Sequence, residues 1–382
     1  MRILLAFGTR PEIIKLAPVY RALRGRQIDV DVLWTGQHTD LAAGLIDFFG
    51  IDIAFNHSGI VAEAGLAAKV GIMTKRIESV IRASHYDWIV VQGDTGTALA
   101  AAQSGFLNAV PVAHVEAGLR TGDMHSPWPE EFNRRVISLC TALHFAPTPG
   151  ARANLLAEDI RAEAVRVVGN TVVDALQFAR AKVAKGYTPI NPALASLPDN
   201  RKIVLATLHR RENIGDHMDE VLRALRDLAH DGDKLIVLPV HLNPEVRASV
   251  LALLGDTANV VLTGPLQYPD FVHLLTRAWL VVSDSGGIQE EAPAFGLPVL
   301  ITRDTTERPE VVEAGFGQLV GWNYDAIVSG VRALTAGDAP QRIDAPNPFG
   351  DGNSAGKIAA ALTDNRAAQS TIRAAQVELR AS

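Results

Sequence analysis

Residues 2–12 read RILLAFGTRPE, an apolar run that ends at a glycine and continues into threonine, arginine and proline. The run predicts a buried strand, and Pro11 suits the first turn of a following helix, whose unpaired amides attract anions. Arg10 is therefore placed to clamp a phosphate. Lys15 lies about one helical turn beyond Pro11 and adds positive charge near the same end. Together these residues predict a strand, a tight turn and a helix that form an anion site.

Short apolar runs alternate with longer amphipathic stretches along the rest of the chain. The further runs predict strands at 30–35, 88–91, 112–115 and 143–146, and then at 202–207, 235–240, 260–263, 279–283, 298–301 and 318–320. Strands that alternate with helices form parallel sheets. We therefore expect an α/β fold of two Rossmann-like, doubly wound parallel-sheet domains with a cleft between them.

The length of the chain also favours two domains, because 382 residues exceed what one hydrophobic core usually organises. Residues 186–200 contain three prolines and a glycine, a composition typical of a connecting segment. We expect one domain over residues 1–185 and a second over 186–354. A helical segment in 355–382 would pack back on the first domain.

The composition excludes several classes of protein. A formal net charge of -6 gives no general attraction to nucleic acid or to an anionic membrane. No apolar run approaches the roughly 20 residues that span a bilayer, and the first apolar run is too short for a signal peptide. The single cysteine, Cys140, forms no internal disulfide, as expected in a reducing compartment. We expect a cytoplasmic globular protein that binds neither nucleic acid nor membrane.

Three carboxylates stand at or just after predicted strand ends in the first half of the chain, Asp94, Glu116 and Glu130. Open α/β sheets bind ligands at these carboxyl ends, so the three acids are candidates for proton transfer. Any one of them alone could be a helix cap or an ion-pair partner, but three acids on one rim favour catalysis. Arg134 follows closely enough to supply a counter-charge to a carboxylate or to a phosphate.

The second half contains another turn between a strand and a helix, DSGGIQEE at 284–291. The backbone amides of Ser285, Gly286 and Gly287 are placed to hold a diphosphate, although tight turns also use paired glycines for conformation alone. Glu291, one turn into the helix, is placed to accept hydrogen bonds from a ribose. These residues favour a nucleotide-binding turn.

His209 follows the first predicted strand of the second half, where a histidine can serve phosphate binding or proton transfer. The histidines show no metal-ligand spacing, so we expect no catalytic metal. No G-x-G-x-x-G follows a predicted strand, which disfavours bound NAD, and we expect no cofactor.

These motifs resemble those of the bacterial non-hydrolysing UDP-N-acetylglucosamine 2-epimerases, whose fold is of the glycosyltransferase-B type. The matching blocks, in the family's order and nearly end to end, are 7–12, 93–95, 114–122, 126–131, 209–212, 284–291 and 304–310. The resemblance implies an isomerase that acts on a UDP-sugar, needs no metal or cofactor and forms a homodimer.

The resemblance also implies a role for each candidate residue. The residues implied to line the sugar and handle its protons are Asp94, Glu116 and Glu130. Those implied to bind or balance the diphosphate are Arg10, Arg134 and His209, which is also a catalytic candidate, with further phosphate contacts from Ser285, Gly286 and Gly287. Glu291 matches the ribose-binding acid, and Lys15 and Arg308 match further positions near the cleft.

The reaction that the family is understood to use explains these residue types. The proton on carbon 2 of the sugar is not next to a carbonyl within the ring, so simple enolisation cannot remove it. Instead, UDP leaves carbon 1 as a base removes that proton, and it re-attacks the 2-acetamidoglucal intermediate after a proton returns on the other face. Such a site needs cations for the leaving group, a base and an acid.

Several alternatives remain open. A related branch acts on other UDP-sugars, such as a 2,3-diacetamido uronic acid, and shares these motifs. The GTRPE motif favours the non-hydrolysing type over the hydrolysing epimerases, and the three intact acids disfavour a glycosyltransferase or a non-catalytic UDP-sugar sensor. Gly44 stands where a glutamine of the family's activator site aligns, after Gln37-His38, and this disfavours activation by UDP-N-acetylglucosamine.

Overall fold

The computed structural model describes residues 1–36, 40–59, 65–208 and 215–364 of the chain. Gln37-His38, His209 and the predicted helical stretch beyond Asp364 therefore lie outside the described residues. The strands are β1 (Arg2–Phe7), β2 (Asp29–Trp34), β3 (Phe55–Asn56), β4 (Trp88–Gln92), β5 (Val112–Val115), β6 (Leu143–Ala146), β7 (Val165–Val167), β8 (Lys202–Thr207), β9 (Lys234–Pro239), β10 (Val260–Thr263), β11 (Leu280–Ser283), β12 (Val299–Ile301) and β13 (Gly317–Leu319).

Helices follow most of these strands. They are α1 (Arg10–Gly25), α2 (Asp40–Phe49), α3 (Leu66–Ala83), α4 (Gly96–Leu107), α5 (Glu130–Cys140), α6 (Pro149–Ala157), α7 (Thr171–Val183), α8 (Pro192–Ala195), α9 (Asp216–Ala229), α10 (Pro244–Leu254), α11 (Tyr268–Arg277), α12 (Gly286–Glu291), α13 (Pro309–Glu313), α14 (Tyr324–Leu334) and α15 (Ser354–Asp364). None of the helices in the described ranges is both long enough and apolar enough to span a lipid bilayer.

The chain divides into two compact units. Unit 1 comprises Met1–Ala175 and the chain from Phe349 onward, and unit 2 comprises Leu176–Pro348. Each unit contains one sheet whose paired strands are all parallel, with helices on its connections. The predicted α/β class with two parallel sheets is therefore confirmed.

The sheet of unit 1 has the strand order β3-β2-β1-β4-β5-β6-β7. The order reverses between β1 and β4, and at such a switch point the loops after the two strands run to opposite faces and leave a crevice. The motif loops Gly8–Thr9 and Gly93–Thr95 follow these two strands. The fold thus brings two of the sequence motifs to the place where parallel sheets bind ligands.

Burial explains why the central strands form. Residues 3–7 of β1 and 88–91 of β4 have no exposed surface, and helices α3 and α4 cover one face through Met73, Ile77 and Ala101. Small residues on α4 allow that helix to lie close to the sheet and to α3. The core therefore holds the ends of β1 and β4 firmly beneath the motif loops.

The chain returns to unit 1 in α15, which packs on α1. The buried carboxylate of Asp174, in α7, accepts hydrogen bonds from the backbone amides of Ser354 at 3.2 Å and Ala355 at 2.8 Å. These amides begin α15 and have no acceptor within their own helix. Asp174 therefore caps α15 and fixes its start.

The sheet of unit 2 has the order β10-β9-β8-β11-β12-β13, with the same reversal between β8 and β11. The proline-containing segment 186–200 belongs to this unit. Asp270 accepts hydrogen bonds there from the hydroxyl of Tyr187 and from the backbone amides of Ile190 and Asn191. A single carboxylate thus secures the segment to α11.

Candidate functional site

The turn between β1 and α1 is organised by Glu12, whose side chain is fully buried. Its carboxylate accepts hydrogen bonds from the backbone amides of Gly8 at 3.0 Å and Thr9 at 2.8 Å, and from the hydroxyl of Thr95 at 2.7 Å. Burial raises the pKa of Glu12 to about 7, against the lowering effect of these hydrogen bonds. The chain's own carboxylate therefore occupies amides that the sequence offered to an external anion.

Lys15 lies one turn further along α1 and is mostly buried. Its Nζ atom is 2.5 Å from the Oε1 atom of Glu116, which follows β5 directly. Arg10 is the first residue of the same helix and is partly exposed. Helix α1 thus presents Arg10 and Lys15 at the carboxyl edge of the sheet, and Lys15 pairs with the carboxylate of Glu116.

Glu116 is the most constrained of the three predicted acids. Its backbone has φ of +63°, in the left-handed region that costs a residue other than glycine free energy and that is found often at functional sites. Besides Lys15, its carboxylate accepts hydrogen bonds from the side-chain amide of Gln92 and, at 3.4 Å, from that of Asn170. Donors from α1, from the end of β4 and from the residue just before α7 therefore hold this acid in one orientation.

Asp94 lies in the loop after β4 and is held by α5. The Nε and Nη2 atoms of Arg134 each lie 2.8 Å from Oδ2 of Asp94, and the side chain of Asn133 donates to its carbonyl oxygen at 2.7 Å. Arg134 also contacts the fully buried Glu131 at 3.2 Å. Arg134 thus has a carboxylate partner of the kind that the sequence predicted for it.

Glu130 is the first residue of α5 and is partly exposed. Asn133 and Arg134, on the same helix, fasten α5 to the loop of Asp94. Asp94 and Glu116 follow the neighbouring strands β4 and β5. The structure therefore places Asp94 and Glu116 just after two neighbouring strands, and Glu130 on the helix that is fastened to the loop of Asp94.

Two buried histidines lie beneath this edge. His114 and His144 are register partners on β5 and β6, and the Nε2 atom of His114 is 2.8 Å from the carbonyl oxygen of Gly93. Burial lowers the pKa of His114 to about 3 and that of His144 to about 4. Both rings are therefore neutral near pH 7, and His114 donates its hydrogen to the loop of Asp94.

In unit 2 the predicted nucleotide-binding turn lies between β11 and α12. The start of this turn is held by hydrogen bonds within unit 2. The Oγ atom of Ser283 accepts a hydrogen bond from the amide of Ser285 at 2.9 Å and lies 2.6 Å from Oγ1 of Thr207. Gly287 is exposed, and a Cβ atom built there would meet nothing closer than 3.8 Å. The backbone of the turn is therefore accessible to solvent at Gly287.

The side chain of Arg308 explains why the turn has a glycine at position 286. A Cβ atom at Gly286 would lie 3.0 Å from Nη1 and 3.1 Å from Cζ of Arg308. The guanidinium is held there by the buried Glu290, with Nε at 2.8 Å and Nη2 at 2.7 Å from its Oε1 atom. Glu291 ends α12 and is partly exposed. Gly286 therefore gives Arg308 room against the turn.

Sequence reasoning did not identify several residues that organise these sites. Glu12 had a readable signal, since Thr9-x-x-Glu12 has the pattern of a helix capping box. Gln92, Asn170 and Glu131 carry no comparable local signal. Among the residues that the structure describes, no group of three or more histidine, cysteine or acidic side chains is arranged to hold a metal ion.

The chain is similar to known epimerases over almost its whole length. The family model described as UDP-N-acetylglucosamine 2-epimerase matches residues 21–363. A protein of Ralstonia solanacearum named probable UDP-N-acetylglucosamine 2-epimerase is 42% identical over 368 residues, which cover 94% of this chain and 98% of that protein. The UDP-N-acetylglucosamine 2-epimerase of Escherichia coli O157:H7 is 41% identical over 373 residues, or 96% and 99% of the two chains.

A solved structure agrees with these sequence relationships. The crystal structure of UDP-GlcNAc 2-epimerase from Neisseria meningitidis bound to UDP-GlcNAc matches with a TM-score of 0.87 and 39% identity, covering 96% of this chain and 100% of that chain. The resemblance inferred from the motifs is therefore confirmed by a family model, by full-length relatives and by structure. The chain belongs to the UDP-N-acetylglucosamine 2-epimerase family.

Proposed function

We propose that the protein interconverts UDP-N-acetylglucosamine and UDP-N-acetylmannosamine without hydrolysing them. The observation that carries the proposal is the ion pair between Lys15 and Glu116 at the carboxyl edge of the sheet in unit 1. Glu116 follows β5, and β5 lies beside β4, which leads into the loop of Asp94. The names of full-length relatives, and the UDP-GlcNAc in the Neisseria meningitidis structure, support this substrate.

The proposed reaction has two halves. In the first, a carboxylate takes the proton on carbon 2 while the bond from carbon 1 to the phosphate oxygen breaks, and the electrons of that bond leave with UDP. The electrons of the carbon–hydrogen bond form the double bond of 2-acetamidoglucal. In the second half, UDP adds back at carbon 1 and a proton reaches carbon 2 from the opposite face. Carbon 2 is thereby inverted, and no oxidant or reductant is consumed.

We assign the proton transfers to Asp94, Glu116 and Glu130. Two-sided transfer needs at least one base and one acid, and these side chains belong to connected elements at one edge of the sheet. The ammonium of Lys15 lies 2.5 Å from the carboxylate of Glu116 and supplies its counter-charge. Arg134 orients Asp94 through two nitrogen atoms on one carboxylate oxygen.

We assign the UDP group to the turn at residues 285–287, to Arg10 and to His209, with Glu291 on the ribose. Family resemblance supports these roles. The exposed Gly287 lies where a phosphate oxygen can approach backbone amides. Arg308, held by a buried carboxylate against the turn, adds positive charge that favours an anion beside it.

The proposal is tested by proton NMR of the purified protein with UDP-N-acetylglucosamine in heavy water, without added metal or NAD. Epimerisation by elimination predicts deuterium at carbon 2 together with a new anomeric signal from UDP-N-acetylmannosamine. Glu116→Gln should lose both signals while UDP binding persists. The matched control is Glu163→Gln, at an exposed carboxylate, which should keep both.

Other outcomes separate the alternatives. Free N-acetylmannosamine with UDP would indicate a hydrolysing enzyme. Binding of UDP without exchange at carbon 2 would contradict this substrate and move the test to a UDP-linked 2,3-diacetamido uronic acid. A cytoplasmic location, expected from the composition, and a homodimer, which the resemblance implies, are part of the proposal. Light scattering during size-exclusion chromatography tests the dimer.

A further inference from the structure

We propose that Glu12 is a positioning residue for this reaction, because its carboxylate fastens the turn just before Arg10 to the loop that carries Asp94. The inference rests on the proposed function, since it concerns the alignment of residues assigned to phosphate binding and proton transfer. Glu12 itself is fully buried and is assigned no contact with the substrate.

The two oxygen atoms of Glu12 serve different loops. Oε2 accepts hydrogen bonds from the amide of Gly8 at 3.0 Å, and from the amide and the hydroxyl of Thr9, each at 2.8 Å. Oε1 accepts the hydroxyl hydrogen of Thr95 at 2.7 Å, although 83 residues separate Glu12 from Thr95. One side chain therefore joins the turn before α1 to the turn before α4.

A helix cap alone does not account for this arrangement. A capping box needs the glutamate to accept only the amide of its N-cap residue, which here is Thr9. The bond to Thr95 adds nothing to the start of α1. Thr95 has its own cap function, since its Oγ1 atom accepts a hydrogen bond from the amide of Ala98 at 3.0 Å. Its hydroxyl hydrogen is thus free to serve Glu12.

We call the hydrogen bonds of Glu12 with Gly8, Thr9 and Thr95 the Glu12 tie. Its position in the sheet affects the alignment of the residues assigned to catalysis. β1 and β4 flank the point where the strand order reverses, so no crossover connection spans the loops that follow them. Asp94 immediately precedes Thr95, and Lys15 lies one turn beyond Glu12. A shift of α1 relative to the loop of Asp94 would therefore change the separation of Lys15 and its partner Glu116 from Asp94.

The test compares substitutions of Glu12 and of Thr95, the two ends of the Glu12 tie, by measuring initial rates with UDP-N-acetylglucosamine. Glu12→Gln keeps the side-chain shape but has one acceptor oxygen, so one of the two loops loses its acceptor. We expect kcat to fall about 10- to 100-fold, as small misplacements of catalytic groups do, with KM within about threefold of wild type. Thr95→Ala should likewise lower kcat and leave KM nearly unchanged. Thr95→Ser, which keeps the hydroxyl, should have a kcat within about threefold of wild type.

Two matched controls separate positioning from general stability. Asp174→Asn changes another buried carboxylate that caps a helix of unit 1, and Thr148→Ala removes another threonine N-cap, which accepts from Ala151 at 3.2 Å. Both should lower the urea midpoint of unfolding and leave kcat near wild type.

The outcomes distinguish this inference from the proposed function. Wild-type kcat in both Glu12→Gln and Thr95→Ala overturns the inference alone, as does an equal loss of kcat in the controls. If Glu12→Gln does not fold, the contrast between Thr95→Ala and Thr95→Ser decides. Wild-type protein that binds UDP but leaves carbon 2 of the sugar unexchanged overturns the proposed function and this inference with it.

Discussion

The Nζ atom of Lys15 lies 2.5 Å from the Oε1 atom of Glu116, although 101 residues separate them in the sequence. The two side chains are only 13% and 6% exposed, so water screens the pair weakly. Glu116 is further held by Gln92 and Asn170. The carboxyl group of Glu116 is thereby kept at the edge of the sheet in one orientation, which a group that transfers protons to a bound substrate requires.

Replacing Lys15 with methionine should impair both catalysis and folding. The buried carboxylate of Glu116 would lose its cation, which costs about 3 kcal/mol of the free energy of unfolding for such pairs. We expect kcat/KM to fall by at least about 100-fold, because Glu116 then loses the contact that holds its carboxylate in place. Urea unfolding and initial rates measure the two effects. Lys357→Met, at a surface ion pair, should change neither, and equal losses in both variants would contradict the prediction.

Arg134→Lys should lower kcat and leave UDP affinity nearly unchanged. A lysine cannot reproduce the two contacts of the guanidinium with Asp94, and we expect a loss of about 10- to 100-fold in kcat. The dissociation constant of UDP, measured by calorimetry, should stay within about threefold, because Arg134 is committed to carboxylates. Arg135→Lys is the matched control, since Arg135 contacts Glu131 and Glu158 instead. A large loss of UDP affinity would instead indicate a phosphate contact.

The two glycines of the unit 2 turn should differ in their response to alanine. In Gly286→Ala the new methyl group meets the guanidinium of Arg308, which Glu290 holds in place, and overpacking of this kind costs about 1–3 kcal/mol. Gly287→Ala has open space and should unfold at nearly the wild-type temperature. Thermal unfolding measures both variants. Equal melting temperatures would show that Arg308 moves aside freely.

The buried carboxyl group of Glu12 should make stability fall as pH rises from 4.5 to about 7. Its pKa is raised to about 7 in the folded protein, from 4.5 when exposed, so the folded state binds more protons in this window. Wild type should therefore lose about 1.4 kcal/mol per pH unit relative to Glu12→Gln. Urea unfolding at several pH values checks this. Thr148→Ala removes no titrating group, so its difference from wild type should not vary with pH; a pH-independent difference for Glu12→Gln would contradict the prediction.

The buried histidines should act in the opposite direction below pH 6.5. The pKa of His144 is lowered from 6.5 to about 4, so the unfolded chain binds a proton that the folded state resists. The stability of wild type relative to His144→Gln should therefore fall by about 1.4 kcal/mol per pH unit as pH drops from 6.5 towards 4, because His144→Gln lacks this contribution to the slope. His85→Gln, at an exposed ring, is the matched control and should retain it. An unchanged slope in His144→Gln would show that the ring accepts a proton when folded.

The sequence predicted the central strands because both of their faces are buried. β1 appears as an unbroken apolar run because residues 3–7 have no exposed surface, and each predicted strand lies within one residue of an observed one. The strands that were missed are β3 and β7, of two and three residues, which are partly exposed. Strands as short as these contain too few apolar residues for a dependable signal, although β13, an edge strand of three residues, was predicted.

The candidate site could be predicted only in part, for a related reason. Asp94 and Glu116 were recognisable because acids that follow apolar strands stand out in a local pattern. Gln92, which donates to Glu116 from the last position of β4, resembles any residue at the end of a strand. Its importance depends on which strand lies beside β4, and that is a property of the whole sheet.

The sequence by itself determined that acids, cations and glycine turns occupy the carboxyl ends of parallel strands, because strand runs and turn residues are local patterns. Only the tertiary structure decided which of these groups pair with one another, Lys15 with Glu116 and Arg134 with Asp94. Pairing needs side chains that are distant in the chain to meet at hydrogen-bond distance. That distance is set by strand order, register and helix packing, which no local stretch of sequence specifies.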